Sequence, residues 1–292
     1  MIRTILLATD GSQRSEAAVQ AAAQLADRLG ATVKVVAVAE VPQGTEPGMF
    51  GVPSLAEVGK SRLRELRKQV ERMLQEAGAE EAGWPVTYLE GHPARKVATH
   101  AGEVEADLIV LGLGRRRPMD RLLGHEMAAT VVRVSPVPVL AVHPDHMELP
   151  RSVVAAVDFS DFSKQALGLL PSVVASQARI VLTHVMDVPL ITADDWTSAY
   201  RETARDRLSE LGRSVSREGD VNVEIQLREG GVVRELLALA HQEEAQLLAM
   251  GSHGQSFVSR LLLGSVSRRV LRNAECSVLV VPPTGLWESS RS

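Results

Sequence analysis

The chain contains itself twice. Residues 2–9 (IRTILLAT) form an apolar run that stops at Asp10, Gly11 and Ser12, and residues 152–157 (SVVAAV) repeat it and stop at Asp158, Phe159 and Ser160. Each run leads into a stretch with amphipathic helical spacing, residues 15–29 in the first copy and 161–176 in the second. Gly30 stands just past the first of these, where a left-handed residue ends a helix. The period far exceeds the roughly 20–50 residues of solenoid repeats, so this is a duplicated domain.

The two copies then keep step. Second strands are expected at 32–38 and 179–185, and long charged helices at 55–77 and 194–217. Third strands at 86–89 and 221–227 reach glycine turns at Gly91 and Gly230. Helices at 94–103 and 232–243 lead to fourth strands at 108–111 and 247–250. A last helix, 266–273 in the second copy, and a last strand, 137–142 or 277–281, close each half. Apolar strands alternating with helices predict an α/β fold with two tandem doubly wound domains. Each domain is expected to hold a five-stranded parallel sheet with helices on both faces and right-handed crossovers. The predicted domains are residues 1–143 and 151–283, joined by the mostly polar segment 143–150 (HPDHMELP) with its two prolines.

Composition narrows the function classes. A hydrophobic content of 45% with only 3% aromatics means cores built from Val, Leu, Ala and Ile. The net charge of −4 argues against nonspecific binding to nucleic acid or to an anionic membrane. Cys276 is the single cysteine, so no intrachain disulfide forms and a reducing compartment is the natural reading. No apolar run reaches membrane-spanning length, and MIRTILLATD has no signal-peptide pattern. The expectation is a soluble, cytoplasmic protein without nucleic-acid or membrane partners.

The chemistry-bearing stretch is GSHGQSFVSRLLLGS, which follows the apolar run 247–250. Gly251 ends that strand, Gly254 follows, and Gly264 and Ser265 open the last helix. Glycines at a strand end allow a tight turn and close approach of a ligand. A helix that opens at Gly-Ser presents free N–H groups and a positive dipole end, which suits phosphate. The Ser265 hydroxyl reads as one more donor, as a link to a metal-bridged phosphate, or only as an N-cap. In doubly wound sheets ligands sit at the carboxyl ends of the strands, which brings Asp158 and Val185 to the same place. Asp158 reads equally as a hydrogen-bonding partner for adenine or ribose and as a turn residue. Val185 offers backbone groups and an apolar wall, or is an ordinary strand end.

These residues resemble the universal stress protein family, over nearly the whole chain and twice. The pattern G-x2-G-x9-G-[ST] of its ATP-binding motif is matched at Gly251, Gly254, Gly264 and Ser265. The resemblance places the family's first-strand aspartate on Asp158 and its adenine-lining valine on Val185. It implies a regulatory ATP-binding stress protein, with ATP alone or with Mg, that works as a tandem pair or homodimer; the protein partner is unspecified.

The first half departs at the phosphates. Asp10 and Val38 match the adenine-side positions, and Gly112 matches Gly251. In that ungapped register Arg115 falls on Gly254, His125 on Gly264 and Glu126 on Ser265. A one-residue gap pairs Gly114 with Gly254 and Gly124 with Gly264, and His125 still replaces the serine. A carboxylate at that helix start repels phosphate, so the first site is expected to be weakened. Arg115, Arg116 and Arg117 form a basic run, read either as a solvated loop or as substitute phosphate contacts. His143, Asp145 and His146 are read as polar linker residues rather than metal ligands, and His253 has no partner at triad spacing.

Two function classes remain. One is a nucleotide-binding regulatory protein. The other is an ATP-consuming enzyme of the same architecture, a slow hydrolase or nucleotidyl transferase. The turns after the first strands, TDGSQRS and VDFSDFS, are poor in glycine, which favours binding over chemistry.

Overall fold

The computed structural model describes residues 2–40, 55–79, 82–113, 124–187, 194–254 and 263–282. Packing divides the chain into two units, Met1–Glu148 and Leu149–Ser292. The first holds β1 (Thr4–Thr9), α1 (Glu16–Leu29), β2 (Thr32–Ala39), α2 (Leu55–Glu76), β3 (Val86–Glu90), α3 (Pro93–Glu103), β4 (Leu108–Gly112), α4 (Gly124–Val134) and β5 (Val139–Val142). The second holds β6 (Ser152–Ala156), α5 (Asp161–Val173), β7 (Ala178–Met186), α6 (Asp194–Glu218), β8 (Val221–Glu229), α7 (Val232–Gln242), β9 (Leu247–Gly251), α8 (Ser265–Asn273) and β10 (Ser277–Val281). No helix among the described residues is long and apolar enough to cross a membrane.

Within the first unit the strands lie in the order β3-β2-β1-β4-β5, all parallel. Within the second the order is β10-β9-β6-β7-β8, again all parallel. In both, the chain winds outward from the first strand and then reverses to place the fourth strand on its other side. The reversal opens a crevice beyond the carboxyl ends of the strands flanking it. Every residue of β5 and β10 is buried, as are the first four of β4 and β9. Neighbouring strand residues point to opposite faces, so layers cover both sides, as the apolar runs predict. One carboxylate or amide pins the start of each first strand. Asp107 Oδ2 accepts the Arg3 and Thr4 N–H groups at 2.7 and 2.9 Å, and Gln246 Oε1 accepts the Arg151 N–H at 2.7 Å.

The sequence-predicted boundaries shift where a local hydrogen bond intervenes. A single 3-10 turn, Gln13–Ser15, precedes α1. Helix α1 does end at Gly30, which sits at φ 64° and ψ 31°. Helix α5 stops at Val173 instead of residue 176, because Val174 turns extended and the Ala175 N–H goes to the Pro150 carbonyl. Strand β5 starts at Val139 instead of residue 137, because the Ser135 hydroxyl engages both the N–H and the C=O of Val137.

Candidate functional site

At the carboxyl ends of β6, β7 and β9 lies a cleft of about 650 Å³. Asp158, Val185, Gly251, Gly254, Gly264 and Ser265 all line it. These six residues are spread over more than a hundred positions of sequence, and the winding of the sheet brings them together.

The glycine-rich part of its lining is tied together at Ser252. The Ser252 N–H is donated to Val281 O at 2.8 Å, and the Ser252 carbonyl accepts both Gly264 N–H and the Ser267 hydroxyl at 2.9 Å. Space around the motif glycines is taken by protein. A Cβ on Gly264 would lie 2.7 Å from Ser252 O, and one on Gly251 would lie 2.8 Å from Phe162 Cβ at the start of α5. A Cβ on Gly254 would lie 2.9 Å from Asp158 Oδ2. Two of the three glycines are therefore demanded by the scaffold, and the third keeps the Asp158 carboxylate clear.

Helix α8 opens beside the cleft with Gly264 as its N-cap, which has no side chain to cap with. The first intrahelical bond is Arg268 N–H to Gly264 O at 3.1 Å, so the N–H groups of Ser265, Val266 and Ser267 have no intrahelical acceptor. No acidic residue lies in the first turn. The positive end of the helix is thus not offset by an acid of its own first turn, an arrangement that suits an anion.

Asp158 closes the turn after β6, one of the two roles its sequence suggested, and its carboxylate also lines the cleft. Its Oδ1 accepts from the Ser160 N–H at 3.0 Å and the Ser160 hydroxyl at 2.5 Å, closing the turn after β6. The Ser160 Oγ in turn accepts the Ser163 N–H at 3.3 Å and caps α5. Asp158 Oδ2 is the oxygen near Gly254. The cleft is also lined by the apolar residues Ala156, Val185, Val232, Leu236 and Met250.

His184 was not singled out by sequence reasoning. Its Nδ1 lies 2.7 Å from Val157 O, which only accepts, so Nδ1 carries the proton and Nε2 accepts from Tyr200 Oη at 3.1 Å. Burial holds its pKa below the ordinary histidine value, against the opposing pull of the Val157 carbonyl and the Asp158 charge. The ring packs 4.6 Å from Phe159, over which Arg207 of α6 stacks at 4.1 Å. His253, between the motif glycines, pairs through Nδ1 with Ser252 Oγ at 2.8 Å, and burial lowers its pKa too. Thr183, Ser252, Leu236 and Ser267 were also missed. Ser252 and Ser267 lie inside or beside the glycine motif, which is the one signal that points to them.

In the first unit Asp10 closes the matching turn, with Oδ1 accepting from Ser12 N–H at 2.9 Å and Ser15 Oγ at 3.1 Å. Val38 is half-buried near the end of β2, and Gly112 ends β4 opposite Val142. Arg115, with Gly114, Arg116 and Arg117, lies outside the described residues. Helix α4 begins at Gly124, which places Glu126 in its first turn. The turn after β1 is closed by α2, since a Cβ on Gly11 would lie 2.8 Å from Gln69 Cβ and Val70 N. In the second unit Phe159 fills that position.

The model of the universal stress protein family matches residues 1–143 and again residues 150–282. A universal stress protein of Mycolicibacterium smegmatis is 27% identical, the match covering 96% of this chain and 97% of that one. One from Synechocystis sp. is 24% identical, over 95% and 99%. Among solved structures, a universal stress protein from Archaeoglobus fulgidus shares the fold with a TM-score of 0.62 at 20% identity, covering 96% of both chains.

Proposed function

Since the chain belongs to the universal stress protein family, we propose that its second unit binds ATP in the cleft at the ends of β6, β7 and β9, as a regulatory ligand. The observation that carries this reading is the convergence of Asp158, Val185, Gly251, Gly254, Gly264 and Ser265 on one cleft. Its volume falls within the roughly 300–1,000 Å³ of small-molecule sites. Its lining combines apolar side chains suited to a base with the N–H groups that open α8, suited to phosphates.

The residues fit the nucleotide. The N–H groups that open α8 and the Ser265 hydroxyl would hold phosphate oxygens. Asp158 Oδ2 would accept from a ribose hydroxyl or the adenine amine, and Val185 would line the base. A Mg²⁺ ion arriving with the nucleotide would be held chiefly by phosphate oxygens, with the Ser265 hydroxyl as a protein ligand. The protein is proposed to act in the cytoplasm, as a homodimer that answers nucleotide occupancy.

The test is calorimetric titration of the purified chain with ATP, together with mass spectrometry of small molecules released on denaturation. Saturable binding and a released adenine nucleotide are the expected results. A folded protein that neither binds ATP nor carries any adenine nucleotide would remove the proposal.

A further inference from the structure

We propose that the Thr183 hydroxyl is a hydrogen-bonding contact for the base of the bound nucleotide, a step that rests on the binding reading above. Thr183 lies in β7 two residues before Val185 and is a wall residue of the cleft. It is 0% exposed, and its Oγ1 is buried without a hydrogen-bond partner among the described residues. A buried hydroxyl left unpaired is costly, and native proteins rarely tolerate one without a reason.

The surroundings explain why the protein does not satisfy it. In the parallel ladder Thr183 stands level with Ala156 on β6 and with Gln226 on β8. Ala156 has no polar side-chain atom, and the Gln226 amide N–H is donated to Glu243 Oε1 at 3.0 Å instead. Val185, Val232 and Leu236, which share the cleft wall, are apolar. The backbone of Thr183 is already used, its carbonyl accepting the Val157 N–H at 2.8 Å.

The first unit supplies the natural comparison. Ala8 pairs with Val36 as Ala156 pairs with Thr183, so Val36 is the matching residue, and it too is fully buried. Valine and threonine have nearly the same shape. The same strand position thus packs well without a hydroxyl, and the second unit alone keeps one, in the wall of the cleft with the complete glycine motif. A hydroxyl both donates and accepts, so it suits a purine edge that carries a ring nitrogen beside an amine.

The experiment compares full-length wild type, Thr183→Val and Thr183→Ser by ATP titration and by thermal unfolding without nucleotide. Thr183→Val is expected to bind ATP about tenfold more weakly, while its nucleotide-free midpoint stays equal to or above that of wild type. Thr183→Ser, which keeps the hydroxyl, is expected to stay within about threefold of wild-type affinity. Unchanged ATP affinity in Thr183→Val would overturn this inference and leave the binding reading standing. So would failure of Thr183→Val to fold, because the hydroxyl would then be serving the scaffold. Absence of ATP binding by the wild type would overturn both.

Discussion

The Ser252 carbonyl accepts the Gly264 N–H at 2.9 Å, so one backbone hydrogen bond ties the end of β9 to the start of α8. The same oxygen also accepts the buried Ser267 hydroxyl. An oxygen held by two donors cannot move aside cheaply, and a Cβ on Gly264 would lie 2.7 Å from it. The direction of the N–H groups that open α8 therefore depends on a residue without a side chain.

Replacing Gly264 separates geometry from charge. Gly264→Ala is expected to weaken ATP binding by about tenfold or more, because the helix start must shift and its N–H groups lose their aim. Gly264→Asp adds a negative charge beside the phosphates and is expected to abolish binding. Calorimetry on variants with unchanged far-ultraviolet circular dichroism checks both, and wild-type affinity in Gly264→Ala would show that the close approach does not matter.

Phe159 carries a second, less obvious constraint. It sits at φ 64°, in the left-handed region, yet its ring is buried against His184 and under Arg207. Deleting a buried phenyl ring costs about 3–5 kcal/mol, while an alanine held at positive φ costs about 1–2 kcal/mol more than a glycine. Both Phe159→Ala and Phe159→Gly are expected to destabilise the second unit. Phe159→Gly is expected to be the milder by about 1 kcal/mol, the reverse of the usual order, as urea denaturation would show.

His184 gives the second unit a pH dependence whose sign follows from its shift. Burial lowers its folded pKa below 6.5, so the unfolded chain takes up the proton first as pH falls. The stability contributed by the neutral ring is complete above about pH 6.5 and is lost as pH drops through the folded pKa. Protonation also removes the Nε2 lone pair that accepts from Tyr200 Oη, beside the Arg207 cation. His184→Asn is expected to flatten the decline measured by denaturation between about pH 7 and about pH 5. His146 and His253 are shifted the same way and remain in both proteins, so the difference between the curves belongs to His184.

The local grammar of this chain was legible from its sequence, and its tertiary reasons were not. Apolar runs ending at Asp10 and Asp158, and a glycine at position 30 in a left-handed cap, state the strands and helix end on their own. The positions of Asp158, Val185 and the motif glycines around one cleft follow from the doubly wound topology. Why Gly251 must be glycine could not be read locally, because the atom it avoids belongs to Phe162, far away in sequence. The unpaired Thr183 hydroxyl and the His184–Tyr200 bond are of the same kind, since each depends on which residues β8 and α6 bring alongside β7. The shortened α5 has a similar cause, a backbone bond from Ala175 to Pro150 that helix periodicity does not encode.

The contrast between the two units leads to the last expectation. In the second, α8 opens at a glycine with no acid in its first turn. In the first, α4 places Glu126 in its first turn, and the matched position to Ser265 carries no hydroxyl in either register. Helix-terminus N–H groups lose much of their pull on phosphate when a carboxylate shares the same end. Full-length protein is therefore expected to titrate with one strong ATP site per chain. Asp158→Ala should remove that site, whereas Asp10→Ala should leave it within about twofold of wild-type affinity. If Arg115, Arg116 and Arg117 compensated for the missing motif, two comparable sites would appear instead, one of them weakening sharply with added salt. Two equal sites in the titration would mean that charge, not the geometry of Gly264 and α8, governs phosphate binding here.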